Sequence, residues 1–188
     1  MWKRCTCFVL LSGLILTSPA PAADPSLVGW WKLDETSGTT AADSSGVGNH
    51  GTLNGSPPWV AAGQIHGALQ LNGTTQYVEC GNSASLNLAT QVSLAAWIKP
   101  SALANGQHQV FVCKGDHSYA LKHNSGNYVE FNVYNGAWYT ARNTSIDASW
   151  NGVWHEWHED KPQDFTVTGL CASPFWAASI ACEAWAFV

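Results

Sequence analysis

Short runs of strand-forming residues recur along this chain and are separated by turns rich in glycine and asparagine. In the clearest run, residues 128–134, every second residue is apolar, which is the period of a half-buried strand. The dipeptide Asn135-Gly136 follows and predicts a tight turn back into a second strand at 137–142. No stretch shows a sustained helical period. The pattern therefore predicts an all-β fold of antiparallel strands.

The same reasoning predicts further strands at 28–33, 67–71, 76–80, 92–99, 109–114 and 119–123. Asn72-Gly73 lies between two of these and predicts a hairpin of 67–71 with 76–80. In 92–99 the apolar residues Val92, Leu94, Ala96 and Ile98 occupy one face and Trp97 the other, which predicts a strand covered on both sides. Together these strands predict a two-sheet sandwich of jelly-roll type.

Composition limits the classes of partner and the number of domains. The chain has 188 residues, enough for one domain with a sizeable core. Its formal net charge is −5 and no basic patch is evident, so nucleic acid is not an expected partner.

The first residues are typical of a targeting segment. Lys3 and Arg4 precede a short apolar run at 7–16, and Ala20 and Ala22 then provide the small residues of an A-x-A cleavage site. The apolar run is too short to span a bilayer, which requires about 20 residues. We therefore predict a signal peptide at 1–22, no membrane span after its removal, and a mature protein that is secreted, periplasmic or held at the cell surface.

Several motifs together resemble a known family. The segment 27–51 contains W-x-L-D-E-x-S-G and then D-x-S-G-x-G-N-H-G, and it is similar to the opening of LamG-like jelly-roll domains. G-A-L-x-L-N-G at 67–73, Y-V-E at 77–79, V-S-L-A-A-W-I-K-P at 92–100 and N-G-V-W-H at 151–155 resemble later strands of that family. The resemblance implies a fold like that of the concanavalin A-like lectins and glucanases.

The resemblance ends near residue 155. We accordingly divide the chain into the signal peptide at 1–22, an incomplete LamG-like domain at 23–157 and a tail at 158–188. The order of Trp, Cys and Ala in the tail matches neither the strand nor the helix period. The tail is interpreted as an out-of-frame or truncated ending, or alternatively as a divergent natural one.

The polar loop after the first strand is a candidate calcium site. Asp43 and Asn49, with Ser44 and His50, offer the hard oxygen ligands and loop carbonyls that calcium prefers. Lectin-like relatives often bind calcium near such loops, so the resemblance adds calcium as a possible cofactor. The equally weighted alternative is that Asp43 and Asn49 only cap turns.

The turn at Asn135-Gly136 is the candidate glycan site. Tyr134, Asn135, Trp138 and Tyr139 combine aromatic faces with an amide, a combination suited to the C–H face and hydroxyls of a sugar. Trp30, Trp31 and Trp97 are assigned to the core instead. Cys80 and Cys113 each end a predicted strand, so in an exported protein they are a possible disulfide pair.

Catalytic interpretations are weaker. Glycoside hydrolysis needs two carboxylates across a cleft, and the E-x-D-x-x-E strand of the laminarinase-type relatives is absent, with Glu130 alone on its strand. The sequence His155-Glu156-Trp157-His158 lacks the spacing of a zinc-protease helix. We expect a non-catalytic binding module for a glycan or an extracellular protein, the alternative being a structural interaction module without a sugar site.

Overall fold

The computed structural model describes residues 25–88, 92–103, 106–115, 117–142, 146–158 and 180–187, with residues 157–158 and 180–187 described as backbone only. In these ranges the chain forms thirteen strands and two 3-10 turns, Ala84–Leu86 and Ala148–Trp150. The strands are β1 (Gly29–Trp31), β2 (Thr40–Ala41), β3 (Gly51–Asn54), β4 (Trp59–Val60), β5 (Ala68–Leu71), β6 (Tyr77–Glu79), β7 (Ser93–Pro100), β8 (Gln109–Cys113), β9 (Tyr119–His123), β10 (Val129–Tyr134), β11 (Trp138–Arg142), β12 (His155–His158) and β13 (Ile180–Phe187).

The strands form three antiparallel sheets. The largest has the order β12-β7-β13-β5-β4, with β1 also paired to β13. A second sheet is the meander β11-β10-β9-β8, and a small third sheet has the order β2-β3-β6. Every described pairing is antiparallel. The fold is therefore all-β and antiparallel, as a concanavalin A-like jelly-roll sandwich is, and the predicted fold class is confirmed.

One continuous core lies between the sheets. The largest sheet contributes Trp31, Leu69, Leu94 and Ile98, while the meander contributes residues such as Phe131. Alternation decides which side chains enter this core, because successive residues of a strand point to opposite faces. In β7, Leu94, Ala96 and Ile98 are buried and Trp97 is half-buried on the other face, as predicted.

The first strand also follows this rule. Trp31 is fully buried, whereas its neighbour Trp30 is half-buried and lies beneath the ammonium group of Lys32, 4.3 Å from the ring centroid. Of the three tryptophans assigned to the core, Trp31 therefore lies within it, whereas Trp30 and Trp97 are half-buried on the opposite face of the sheet.

The predicted hairpin of 67–71 with 76–80 is wrong. β5 pairs with β4 and β13 in the largest sheet, whereas β6 pairs with β3 in the smallest sheet. The connection between them is organised by the Asn72 side chain, whose Oδ1 accepts hydrogen bonds from the backbone N–H groups of Thr74, Thr75 and Gln76. This capped loop carries the chain from one sheet to the other, so the local turn signal does not indicate strand pairing.

Three short strands, β2, β3 and β4, were missed because turn-forming residues lie within or next to them. The segment 53–59 is rich in Gly, Asn and Pro, yet β3 and β4 lie at its two ends. β3 begins at Gly51. A residue with a side chain would not fit there unless its neighbours moved, because its Cβ atom would lie 2.4 Å from Cγ1 of Val78 and 3.2 Å from Sγ of Cys80. A glycine in a strand commonly marks such a close approach between neighbours.

The segment 180–187 forms a strand within the largest sheet. β13 pairs along its whole length with β7, and on its other side with β5 and then β1. Ala184, for example, is paired with both Ala96 of β7 and Trp31 of β1. The sequence reasoning did not predict this strand, and the proposed division of the chain at residue 157 stays a prediction.

An Ala184→Pro substitution tests the central position of β13. Proline has no N–H group to donate, and because β13 has a neighbour on each side, the substitution must break a ladder hydrogen bond. We expect the free energy of unfolding, measured by urea denaturation, to fall by about 1–3 kcal/mol.

The matched control is Ser125→Pro. Ser125 is exposed at the second position of a turn in which the Asn127 N–H donates to the Asn124 carbonyl, a position that accepts proline. We expect a change below about 0.5 kcal/mol there. Equal stability of both variants and the unmodified protein would show that β13 is not held between two neighbours.

Candidate functional site

The polar loop after β1 is organised around the carboxylate of Asp43, which is 8% exposed. Its Oδ1 accepts hydrogen bonds from the backbone N–H groups of Trp30 and Ser45, each at 2.9 Å. Its Oδ2 accepts from Ser45 Oγ at 2.8 Å and from the N–H groups of Gly48 at 3.1 Å and Asn49 at 2.8 Å. One side chain thus fixes both the loop and its attachment to β1.

Asn49 continues this network towards a second segment. Its Nδ2 donates to the Val28 carbonyl at 2.8 Å and to Ser85 Oγ at 2.9 Å, and its Oδ1 accepts from Ser83 Oγ at 2.7 Å. Its backbone carbonyl accepts from the indole Nε1 of Trp31 at 2.8 Å. The side-chain amide therefore joins β1 to the segment 83–85 and is itself buried.

The surroundings of Asp43 change its acidity in two opposing ways. Burial raises the pKa of the Asp43 carboxyl, but the hydrogen bonds from Ser45, Trp30 and Asn49 stabilise the ionised form more, so the pKa lies below its ordinary value. The carboxylate is thus held ionised by donors from its own chain.

These contacts favour turn capping over calcium binding for this loop. A calcium ion needs free carboxylate and carbonyl oxygens, whereas the oxygens of Asp43 and the amide oxygen of Asn49 already accept hydrogen bonds from the protein. His50 Nδ1 likewise accepts from the Asp43 N–H at 3.0 Å. Within the described ranges no group of three or more His, Cys, Asp or Glu residues is placed to hold a metal ion. Calcium binding by Asp43 and Asn49 stays a prediction.

A second feature is a cluster of three aromatic rings at the end of the β10–β11 hairpin. Tyr134 and Trp138 are cross-strand partners whose ring centroids lie 5.3 Å apart. The His117 ring contacts Tyr134 edge to face at 4.6 Å and lies roughly parallel to Trp138 at 6.1 Å. We call His117, Tyr134 and Trp138 the aromatic cluster. Trp138 is 51% exposed, so the cluster offers a ring face to solvent.

A polar cleft of about 510 Å³ opens beside this cluster, and His117 belongs to both. Its other walls come from two separate segments and are lined by Glu79, Gly81, Asn82, Asn87, Lys114, Gly115 and Ser118. The Lys114 ammonium group donates to Asn82 Oδ1 and so joins the two walls. His117 has a φ of 61°, in the left-handed region where non-glycine residues are uncommon and often mark functional positions.

Of the four predicted glycan-binding residues, the structure brings two together. Tyr134 and Trp138 share one face of the hairpin, whereas Tyr139, paired with Val133, lies on the other face and is 54% exposed. Asn135 is exposed in the turn, where its N–H donates to the Ala137 carbonyl.

The sequence reasoning missed His117, Asn82 and Lys114 as site residues. His117 lies two residues after Gly115 in a short polar connection, which is a turn signal but not a signal for a site. The cleft walls are distant in sequence and meet only through the sheet topology. The single local clue was the hairpin itself, which places two aromatic residues opposite each other.

Cys80 and Cys113 are both buried, and no disulfide joins them in the structure. Each lies next to a cleft residue, because Gly81 and Lys114 follow them directly. Their pairing therefore stays a prediction. Cys171 lies outside the described residues.

The residues around His155 serve a packing role. The His155 ring stacks on Trp150 with centroids 3.9 Å apart. Both rings line a small apolar cavity that also contacts Phe111 and Val129. This arrangement agrees with the interpretation of the His-Glu-Trp-His sequence as coincidental, although Glu159 and the side chain of His158 are outside what is described.

An Asp43→Asn substitution tests the capping role. Because the pKa of Asp43 is lowered in the folded state, the folded protein binds fewer protons than the unfolded chain in acid. The stabilisation is complete above the ordinary carboxyl pKa of about 3.9 and is lost as the pH falls below it. The amide keeps one acceptor oxygen and cannot titrate. We expect a loss of about 1–3 kcal/mol at neutral pH and a weaker loss of stability on acidification, measured by urea denaturation at several pH values.

The exposed Asp34 provides the matched control, and we expect Asp34→Asn to leave the pH dependence nearly unchanged. Indistinguishable acid profiles for Asp43→Asn and the unmodified protein would contradict the capping role. Thermal melts with and without added calcium complete the test, since a calcium-dependent rise in Tm that Asp43→Asn removes would favour the metal site instead.

Comparison with known proteins finds a similarity to one superfamily. Residues 72–158 match the family described as the concanavalin A-like lectin/glucanases superfamily, a range that extends from the loop after β5 to the end of β12 and contains the whole meander. No curated protein matches the chain. The match confirms the resemblance found in the sequence motifs and supports a lectin-like or binding domain. Residues 72–158, less than half of the chain, are therefore similar to the concanavalin A-like lectin/glucanases superfamily.

Proposed function

We propose that this protein is an exported, non-catalytic module that binds carbohydrate at the aromatic cluster and the adjoining cleft. The proposal rests on the position of His117. The His117 ring packs with Tyr134 and Trp138, and His117 also lines the polar cleft. A sugar has an apolar C–H face and a rim of hydroxyls, so a ring face beside polar groups complements both.

The chemistry of the cleft supports hydroxyl recognition. Glu79 offers a carboxylate, Asn82 and Asn87 offer amides, and Lys114 offers an ammonium group. These groups include both donors and acceptors, which a sugar hydroxyl needs because it can donate and accept at once. The cleft is open to solvent and bordered by an exposed tryptophan, which suits a carbohydrate chain better than a small buried ligand.

The proposal of a non-catalytic role rests on the carboxylates of the meander. In β8 to β11 the single acidic residue is Glu130. It is buried and paired, with Arg142 Nη2 at 3.1 Å from its Oε1 and Lys122 Nζ at 4.0 Å from its Oε2. Glycoside hydrolysis by the common mechanisms needs two carboxylates on either side of the scissile bond. This sheet therefore offers one carboxylate where two are needed.

The proposal of export rests on the sequence of residues 1–22. Among the residues that the structure describes, no helix has the length and apolarity needed to cross a membrane. Secretion, or retention in the periplasm or at the cell surface, would present the module to extracellular glycans.

A protein-interaction module without a sugar site is the second candidate. It is favoured by β11, which lies at the edge of the meander and is exposed along most of its length. A strand of a partner protein can add to a strand at the edge of a sheet.

Cleavage after Ala22 tests the proposed export. We expect the protein recovered from the medium or periplasm of a secreting host to begin at Ala23, as measured by intact mass. An Ala22→Arg change should block cleavage because the last position of an A-x-A site requires a small residue. Pro21→Ser, at the unconstrained middle position, is the control. Recovery of a chain that still begins at Met1 would contradict the proposed signal peptide.

Two exposed aromatic residues provide a matched test of the glycan site. Trp138 and Tyr139 are almost equally exposed but lie on opposite faces of β11. We expect Trp138→Ala to weaken binding to the best ligand of a glycan array by about tenfold, corresponding to about 1.4 kcal/mol. Tyr139→Ala should leave this affinity within about twofold.

His117→Ala should reduce glycan binding as Trp138→Ala does, since it removes the ring shared by the cluster and the cleft. Equal effects of the Trp138 and Tyr139 substitutions would contradict the proposed location. An array without any binding that free sugar inhibits would contradict the carbohydrate function and favour the interaction module.

A further inference from the structure

The face of the meander that points away from the core continues from the aromatic cluster. In β10 the residues Val129, Phe131 and Val133 are buried in the core, so the alternate residues occupy the opposite face. We call this opposite face the outer face. It holds Glu130, Asn132 and Tyr134 of β10 with their respective partners Arg142, Thr140 and Trp138 of β11. The outer face therefore extends from an aromatic end to a charged end.

The charged end has a buried anion beside one half-buried and one exposed cation. The Glu130 side chain is 8% exposed, whereas the side chains of Lys122 and Arg142 are 29% and 54% exposed. Asn124 Nδ2 also donates to Glu130 Oε1, so the carboxylate is enclosed by donors. One carboxylate and two cations leave one formal positive charge, and the more exposed of the two cations is Arg142.

Arg142 is positioned by two contacts. Its guanidinium lies 5.4 Å from the centroid of the Tyr128 ring and contacts Glu130 through Nη2. A guanidinium has five N–H donors in a rigid fork that matches a carboxylate. The other arginine of the chain is Arg4, in the predicted signal peptide, so Arg142 is the single arginine expected in the mature protein.

The two ends of the outer face are within reach of one extended ligand. Trp138 and Arg142 lie on the same side of β11, four residues apart. At a rise of about 3.4 Å per residue they are separated by about 14 Å along the strand. Between them lies the exposed Thr140, whose hydroxyl donates a hydrogen bond of 2.8 Å to the buried Asn132.

We propose that the outer face binds a polysaccharide carrying carboxylates, in which one sugar stacks on Trp138 and a uronic acid residue further along the chain pairs with Arg142. This inference rests on the proposed carbohydrate function. It adds that the ligand is negatively charged and that Arg142 selects it. The whole chain has a formal charge of −5, so general attraction of polyanions is disfavoured and binding depends on the local positive charge at Arg142.

Matched probes separate charge from sugar recognition. The probes are oligomers of galacturonic, glucuronic and mannuronic acid, each compared with its methyl ester, which retains the sugar but removes the charge. Isothermal titration calorimetry with the mature protein should show that the best acid oligomer binds about tenfold or more tightly than its ester. Arg142→Gln should remove most of this difference and leave ester binding unchanged.

Two further variants keep the inference testable if Arg142→Gln disturbs folding. Glu130→Gln removes the opposing anion, so we expect acid binding to become stronger while ester binding stays constant. Lys99→Gln is the charge control, because the exposed Lys99 lies on β7 in the other sheet and should not affect the acid-to-ester ratio. The Tm of each variant shows whether it is folded.

Three results would overturn this inference. Equal affinity for acid and ester oligomers would show that the protein does not recognise the carboxylate. The proposed carbohydrate function would still hold in that case. An acid preference that Arg142→Gln and Glu130→Gln both leave unchanged would place recognition elsewhere. Polyglutamate binding as tight as that of the best uronic acid oligomer, and equally sensitive to Arg142→Gln, would identify an acidic peptide as the partner. Failure of the carbohydrate function itself is distinguishable, because no sugar, charged or neutral, would then bind through Trp138.

Discussion

The buried carboxylate of Asp43 is the interaction on which the first strand and its loop depend. A hydrogen bond to a charged acceptor contributes about 1.5–3 kcal/mol when it replaces contacts with water, and Asp43 accepts several at once. The donors come from β1 and from the loop, so this side chain fixes their relative position. The Asn49 side chain accepts a hydrogen bond from Ser83 and so links the loop to the segment 83–85. The Asn49 backbone carbonyl accepts a hydrogen bond from the indole of Trp31 in the core.

The strands most easily predicted were those whose period reflects burial on one face. β7 and β10 were found from alternation, and the β10–β11 hairpin was found from its Asn-Gly turn. Pairing at a distance was not predictable in the same way. The Asn72 turn has a hairpin sequence, yet β5 and β6 enter different sheets, because sheet membership is decided by the available partners and by burial rather than by the turn.

In the candidate site, too, contacts within one hairpin could be predicted from the sequence, whereas contacts between distant segments could not. Tyr134 and Trp138 could be placed together from the register of one hairpin, and the position of Tyr139 on the other face follows from the parity of its residue number. His117 could not be placed, because its contribution depends on a backbone with positive φ and on a neighbouring strand that brings it beneath Trp138. The cleft walls around Asn82 and Lys114 required the complete topology.

The pairing of β1 with β13 has a consequence for the order of folding. Gly29 is paired with Ala186, so the largest sheet joins residues from distant parts of the chain and cannot be completed until the last of them has been synthesised. Long-range pairings of this kind give a high contact order and slow folding. The meander, in contrast, contains only neighbouring strands and can form early. The largest sheet of this chain therefore remains incomplete until β13 has been synthesised, whereas the meander can already be folded.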